Sequence, residues 1–367
     1  MFAVQFPEML NSNPDTDFNG NRAAFIKAQK PVIFWPNFKY RFTKGIGFSK
    51  QLKRSPFFNP DEYEFAFSVR ELNRKADVLV HFNQYPLDLE RLLPPKGFNG
   101  LKVWHIYEFV FQPSVVNKML VENGVDYLLG YADHGKYSPF FQSAYPAYTQ
   151  KVIPFPFGTS NRFLVDSKWE GRENKVIALG AVNLVNEEGG TIDDSLKSYS
   201  DFYKDRKFTH EWRRMLVENE SQLSDIMDSQ LPHFPETKNS KYDALQMMLG
   251  YTMFANDEGL LAFPPARTFE GASAGAVMVS SNHPCYTDLG FKHGVNCIMH
   301  CKHDIGDFRE KVIYFQQQPQ LLKKIAEEGQ KLIRTHYTQE IVAKKLAEQL
   351  KSLYSTGKKP ETKFEIS

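Results

Sequence analysis

Arg267 and Glu270 stand three residues apart within FPPARTFEGASAGAVMVSS, residues 263–281, a spacing that puts both side chains on one face if the segment is helical. Pro264 and Pro265 suit the entry to such a helix, because a first-turn residue has no use for its amide proton. Behind Glu270 run Gly271, Ala272, Ser273, Ala274, Gly275 and Ala276, whose small volume lets the helix pack closely or lets a ligand approach the backbone. Unpaired amides at the helix start, together with Arg267, suit the charge of a nucleoside diphosphate, and the Glu270 carboxylate suits ribose hydroxyls. The plainer account is a small-residue helix packed on a sheet, with an exposed Arg–Glu pair of little energetic weight.

Other residues could share the work. Gly45 and Gly47, in KGIG, follow an early apolar strand as a lone Gly-x-Gly, and no third glycine completes a dinucleotide fingerprint. His105 and Glu108, in WHIYEF, come at the end of a strand, where a base for an acceptor hydroxyl would stand. Asp133 and His134 follow the next strand in the same way. Arg206, Lys207, Arg213 and Arg214 are four cations in one stretch that could meet an anion. Each of these groups could equally be a turn, a strand-end hydrogen bond or a solvated helix face. Cys297, His300, Cys301 and His303 carry zinc-type donors, but their spacing fits no common module and a strand there would turn His300 away from the thiols. Asp193 and Asp194 are adjacent, so they form no Asp-x-Asp metal motif.

The elements that must position these residues are strands of buried type. PVIFWPNF (31–38), ADVLVHF (76–82), LKVWHI (101–106) and VDYLLG (125–130) are apolar and β-branched, and the stretches between them are long enough for crossovers, which predicts a parallel sheet. VIPFPFGTSNRF (152–163) and the polar run after it mark a boundary. A second sheet restarts at KVIALGAV (175–182); Lys241–Phe254 reads as helical, and VMVSS and NCIMH follow as short apolar strand pieces. Leu321, Leu322, Ile325, Leu332 and Ile333, then Val342, Leu346, Leu350 and Leu353, repeat with helical period and predict two terminal helices.

With 367 residues the chain has room for two or three domains. Its 45 Lys and Arg against 43 Asp and Glu leave a net charge of +2, which argues against a nucleic-acid binder. Three cysteines fit free thiols in a reducing compartment better than a disulfide framework. The N-terminus lacks the pattern of a signal peptide and no window is apolar enough for a membrane span, so a cytoplasmic protein is expected. The mildly basic pI of 8.2 permits peripheral contact with anionic lipid.

ARTFEGASAGAVMVSS, then TDLGFKHGVNCIMH, the helix start HDIGDFREKV and the ending LIRTHYTQEIVAKKL resemble the C-terminal domain of GT-B glycosyltransferases of the "glycosyl transferases group 1" type. The resemblance spans about residues 175–350. It implies an α/β fold of two Rossmann-like domains facing across a cleft: an acceptor-side domain over 1–160, a donor-side domain over 170–340, and a terminal helix and tail over 341–367. It further implies sugar transfer from a nucleotide-sugar donor to a hydroxyl of a glycan or glycolipid, with no metal and no cofactor. Arg267, Thr268, Glu270, Gly45, Gly47 and Arg213 would hold the donor nucleotide, and Glu108 and His105 would serve catalysis. Retaining members carry a further Glu eight residues before the one at the Glu270 position; here Ala262 stands there. A sugar-nucleotide epimerase of the same fold, or a catalytically silent glycan-binding protein, are the alternatives.

Overall fold

In the computed structural model, residues 1–5, 20–35, 59–82, 94–106, 109–166, 168–182, 197–204, 210–231 and 243–360 are described. The chain divides into two compact units: Met1–Gly158 with Asp194–Ser198 and Gln339–Glu361, and Thr159–Asp193 with Tyr199–Thr338.

Unit 1 is built on a parallel sheet that, among the described residues, has the order β3-β2-β1-β4-β5-β6-β7. Its strands are β1 (Phe2–Gln5), β2 (Val32–Phe34), β3 (Phe65–Ala66), β4 (Val78–Phe82), β5 (Leu101–His105), β6 (Tyr127–Gly130) and β7 (Val152–Pro154). β4 (VLVHF) is buried at every position, the pattern of a strand covered on both faces, where each fully buried Val or Leu contributes about 1.5–3 kcal/mol. Helices α1 (Gly20–Gln29), α2 (Val69–Lys75) and α3 (Pro113–Glu122) lie between strands. α2 opens on Ser68, whose hydroxyl accepts from Glu71 N at 3.2 Å while the Glu71 carboxylate accepts from Phe67 N at 2.9 Å, a reciprocal cap. The segment expected only to mark a boundary, VIPFPF, first supplies β7: Val152 and Ile153 are buried against β6. β1 also went unread, because four residues carry too little period.

Unit 2 holds β8 (Glu173–Leu179), β9 (Met227–Gln230), β10 (Tyr251–Ala255), β11 (Val277–Ser281) and β12 (Ile298–His300), all parallel, in the order β12-β11-β10-β8-β9 among the described residues. Its helices include α4 (Glu211–Glu218), α5 (Ala244–Gly250), α6 (Ala266–Ser273), α7 (Ile305–Gln316) and α8 (Pro319–His336). Lys241–Phe254 is therefore not one helix. α5 ends at Gly250, and the β-branched and aromatic run Tyr251–Ala255 becomes an inner strand, paired on both sides. Arg172 fixes this change of direction, its guanidinium donating to the carbonyls of Met248 (3.1 Å), Tyr251 (3.0 Å) and Ala274 (2.8 Å).

After α8 the chain returns to unit 1 as α9 (Gln339–Thr356), which packs along α1. Its buried face, Val342, Ala343, Leu346, Ala347, Leu350 and Leu353, is the one that the helical period predicts. No described helix is long and apolar enough to cross a membrane.

Candidate functional site in unit 2

From β8 the chain passes to β9 on one side, and β10, β11 and β12 lie on the other. The carboxyl ends of β8 and β10 therefore flank a topological switch point, the place where open α/β sheets receive ligands. Past β8 stands Gly180, with φ +112°; a Cβ there would come 2.5 Å from Arg267 Nη1 and 2.9 Å from Arg213 Nη1. Arg267, one residue into α6, donates through Nη1 to Leu179 O, and Arg213, on α4, donates through Nη1 to Ala181 O at 3.0 Å. Two guanidiniums thus flank one glycine and are held by carbonyls on either side of it. This fixed positive pair is suited to an anion of two phosphates.

Past β10 stand Asn256, Asp257 and Glu258, all buried. Asp257 Oδ1 accepts from Gly259 N, and Oδ2 lies 3.9 Å from His210 Nδ1. Burial, reinforced by Glu258 and opposed by Arg213, pushes the Asp257 carboxyl up to about 6. Burial also opposes ionisation of Glu258, but Lys302 Nζ at 2.5 Å and the Ser281 hydroxyl at 2.7 Å outweigh it and hold that carboxyl below its ordinary range. Burial, with Arg213 and Arg267 nearby, pulls the His210 imidazole well down, so it is neutral. These acids, with Trp212, Ser281, His300 and Lys302, line a small pocket.

Glu270 lies one turn beyond Arg267 on α6; burial raises its carboxyl, against the pull of Arg267 and Arg162. Arg162 is itself paired with Asp243 at 2.5 Å. The small residues after Glu270 serve packing. A Cβ on Gly271 would stand 2.6 Å from the Phe254 ring, and Ser273 donates to Phe163 O at 3.0 Å.

Several expectations are redirected. Thr268 is fully buried, and its hydroxyl accepts from Asn256 Nδ2 at 2.9 Å, so it braces α6 on β10 rather than facing a ligand. His105 ends β5 as a buried ring, edge-on to Tyr131 (5.3 Å) and Phe155 (5.8 Å), and burial holds it neutral. That is a packing role, not the exposed setting a base requires. His134 is likewise buried, its imidazole drawn down to about 3 by desolvation, and Asp133 accepts from Lys359 at 2.8 Å. Arg214 pairs with Glu211 and Glu218 on α4, leaving Arg213 as the described cation at the switch point among the four named. Glu108, Gly45, Gly47, Arg206, Lys207, Asp193 and Asp194 lie outside the described residues. Among the described residues no three His, Cys, Asp or Glu side chains cluster as metal ligands; His300 instead stacks on Trp212 at 4.5 Å.

Gly180, Asp257 and Glu258 are the residues that sequence reasoning passed over. A glycine closing an apolar strand and an Asp–Glu–Gly run after another were the available signals, but both resemble ordinary turns.

A family model described as "Glycosyl transferase-like" matches residues 228–348. No curated protein matches the chain. Among solved structures, Anabaena HepE in complex with UDP and glucose is similar at 12% identity and TM-score 0.51, covering 96% of this chain and 99% of that one. A glycosyltransferase from Rickettsia africae ESF-5 is similar at 10% identity and TM-score 0.50, covering 97% and 99%. The resemblance drawn from ARTFEGASAGA is thereby borne out: the chain has the two-sheet α/β fold of GT-B glycosyltransferases, and its residues 228–348 match the glycosyl transferase-like family model.

Proposed function

We propose that this glycosyltransferase moves a sugar from a nucleotide-activated donor to a hydroxyl of a glycan or glycolipid acceptor, and that unit 2 binds the donor. The observation that carries the reading is the pair of guanidiniums, Arg213 and Arg267, clasping Gly180 at the switch point of the unit 2 sheet. A leaving diphosphate needs its charge neutralised as the glycosidic bond breaks, and fixed cations supply this without a metal ion. The first amides of α6 add to the positive field, and Glu270 accepts from the ribose hydroxyls. The acceptor falls to unit 1, with Glu108 rather than the enclosed His105 as the base. Neither nucleic acid nor a cofactor takes part. It works in the cytoplasm, a reading that its three free cysteines support, and any contact with anionic lipid is peripheral.

The test is binding of UDP, GDP, ADP and CMP, with and without EDTA, to wild type, Arg267→Ala and Glu270→Gln, followed by thermal shift. One nucleotide should stabilise the wild type by about 2.7 kcal/mol at a hundred times its dissociation constant, unaffected by EDTA and largely lost in both variants. No stabilisation by any nucleotide overturns the reading. Binding without sugar transfer to any acceptor would mark a silent member of the fold.

A further inference from the structure

His210 Nδ1 and Asp257 Oδ2 face each other 3.9 Å apart, and neither atom has a hydrogen-bond partner among the described residues. His210 stands just before α4, three residues ahead of Arg213, and Asp257 follows β10. A hydrogen bond needs a separation about 1 Å shorter. One proton added to the pair turns the gap into a charge-assisted hydrogen bond, whichever of the two atoms carries it. The His210 side chain keeps 26% of its surface exposed against 7% for Asp257, so the ring is the path from solvent to the acid.

The charge around the pair holds that proton off. Arg213, on α4, and Arg267, from α6, both act on His210, and with burial they keep the ring neutral. Asp257 meets Arg213 and Lys302, which favour its ionised form, and Glu258, which opposes it. Lys302 and Glu258 are paired with each other and offset. Burial holds the protons of Tyr286 and Cys285 in place well above neutral pH and keeps His300 neutral, so these three add no charge. Glu211, on the pocket wall, is paired with Arg214. Arg213 and Arg267 are then the cations that a ligand can neutralise, since they clasp Gly180, where the proposed function puts the donor diphosphate.

A diphosphate esterified at both ends is negative on each phosphate and has no proton to gain near pH 6, about where a terminal phosphate titrates. Seated on Arg213 and Arg267, it cancels the field that repels a proton from His210 and favours the charged form of Asp257. The two effects have the same sign: each group holds a proton more firmly once the anion is bound.

We propose that His210 and Asp257 form a proton-binding pair coupled to the diphosphate site, so that a nucleotide-sugar binds unit 2 together with a proton. The coupling rests on the donor site proposed above. In that reaction the proton offsets the charge that builds on the leaving diphosphate.

The experiment titrates UDP-glucose, GDP-mannose, ADP-glucose and CDP-glucose into wild type, Asp257→Asn and His210→Gln by calorimetry, between about pH 6 and pH 8 and in buffers of different ionisation enthalpy. The difference in heat between buffers counts the protons taken up. The nucleotide-sugar that binds wild type takes up about half a proton to one proton at neutral pH, and its affinity rises by up to about tenfold per pH unit as pH falls. Asp257→Asn, whose amide takes no proton, binds at the top of that range at least as tightly as wild type does at the bottom, and takes up little. His210→Gln takes up less than wild type at neutral pH. Binding to wild type without proton uptake, or uptake unchanged in either variant, overturns the pair and leaves the donor site standing. No binding of any of the four overturns the donor site, and the pair with it. The wild-type count needs no variant, so the proposal stands or falls on it should a variant fail to fold by near-ultraviolet circular dichroism.

Discussion

Arg267 Nη1 lies 2.5 Å from where a Cβ on Gly180 would stand. The closeness is mutual: the guanidinium can reach Leu179 O only because the residue beside it has no side chain, and the turn with φ +112° favours glycine for its own reasons. Gly180→Ala should therefore cost about 1–3 kcal/mol of stability through backbone strain and crowding, and should weaken nucleotide binding more than tenfold by displacing the arginine. Urea unfolding and calorimetry check the two effects; an alanine variant that binds nucleotide like wild type would separate Arg267 from the donor site.

Gly271 sets helix propensity against packing. Alanine is favoured over glycine in a helix by about 1 kcal/mol, but here its Cβ would come 2.6 Å from the Phe254 ring, which is fully buried and has nowhere to go. Overpacking of about 1–3 kcal/mol should win. The expected outcome is a Gly271→Ala protein less stable than wild type in urea, and a more stable one would mean that α6 can lift from β10.

Asp257 predicts a pH dependence of known sign. In the fold its carboxyl keeps its proton up to about pH 6, whereas in the unfolded chain a carboxyl loses it near pH 4. Between those values the folded state binds more protons, so this group's contribution to stability falls as pH rises from about 4 through about 6 and is constant above. His210 works oppositely: neutral in the fold, it costs stability as pH drops below about 6.5, where the unfolded chain protonates. It is present in both proteins when wild type is compared with Asp257→Asn, so the difference isolates the acid. The asparagine variant should gain on wild type by on the order of 2 kcal/mol between pH 4 and pH 7. A difference that stays flat across that range would show the acid ionising as freely as in water.

Asp243 does two jobs that mutation can split. Its carboxylate caps α5, accepting from Leu245 N at 2.9 Å and Gln246 N at 3.3 Å, and it also pairs with Arg162 in an exposed setting. Capping is worth about 1 kcal/mol and an exposed pair less. Asp243→Ala should lose about 1 kcal/mol, while Asp243→Asn, which still caps, should stay within a few tenths of wild type by thermal melting. Equal losses in both would assign the stability to the ion pair.

Much of the fold was legible because buried parallel strands announce themselves. VLVHF, LKVWH and VMVSS are rich in apolar and β-branched residues and emerged as β4, β5 and β11 close to their expected limits. β10 hid because ALQMMLGYTMF is apolar at helical spacings too; only the turn at Gly250 separates the helix from the strand. β9 (MDSQ) lies at a sheet edge with its last residues half-buried or exposed, so it lacks the strand signature. Within the site, Arg267 and Arg213 could be named from residue type. Asp257 and Glu258 could not, because an acidic pair before glycine reads as a loop, and only the strand order places it at the switch point. Thr268 misled in the other direction: a hydroxyl at a helix start suggests a ligand, while its partner, Asn256, is twelve residues away on another element.

The last long helix, α9, has a further consequence for how the protein is made. It lies along α1, and the Gln339 side chain fills the space that a Cβ on Gly20 would need. Unit 1 thus draws on chain segments that lie both before and after unit 2 in the sequence. Unit 2 has all of its described strands and helices by Thr338, so it can complete its core while α1 still waits for its cover. A chain stopped between Thr338 and Gln339 would hold every described strand and helix of unit 2 but leave α1 of unit 1 without the helix that covers it.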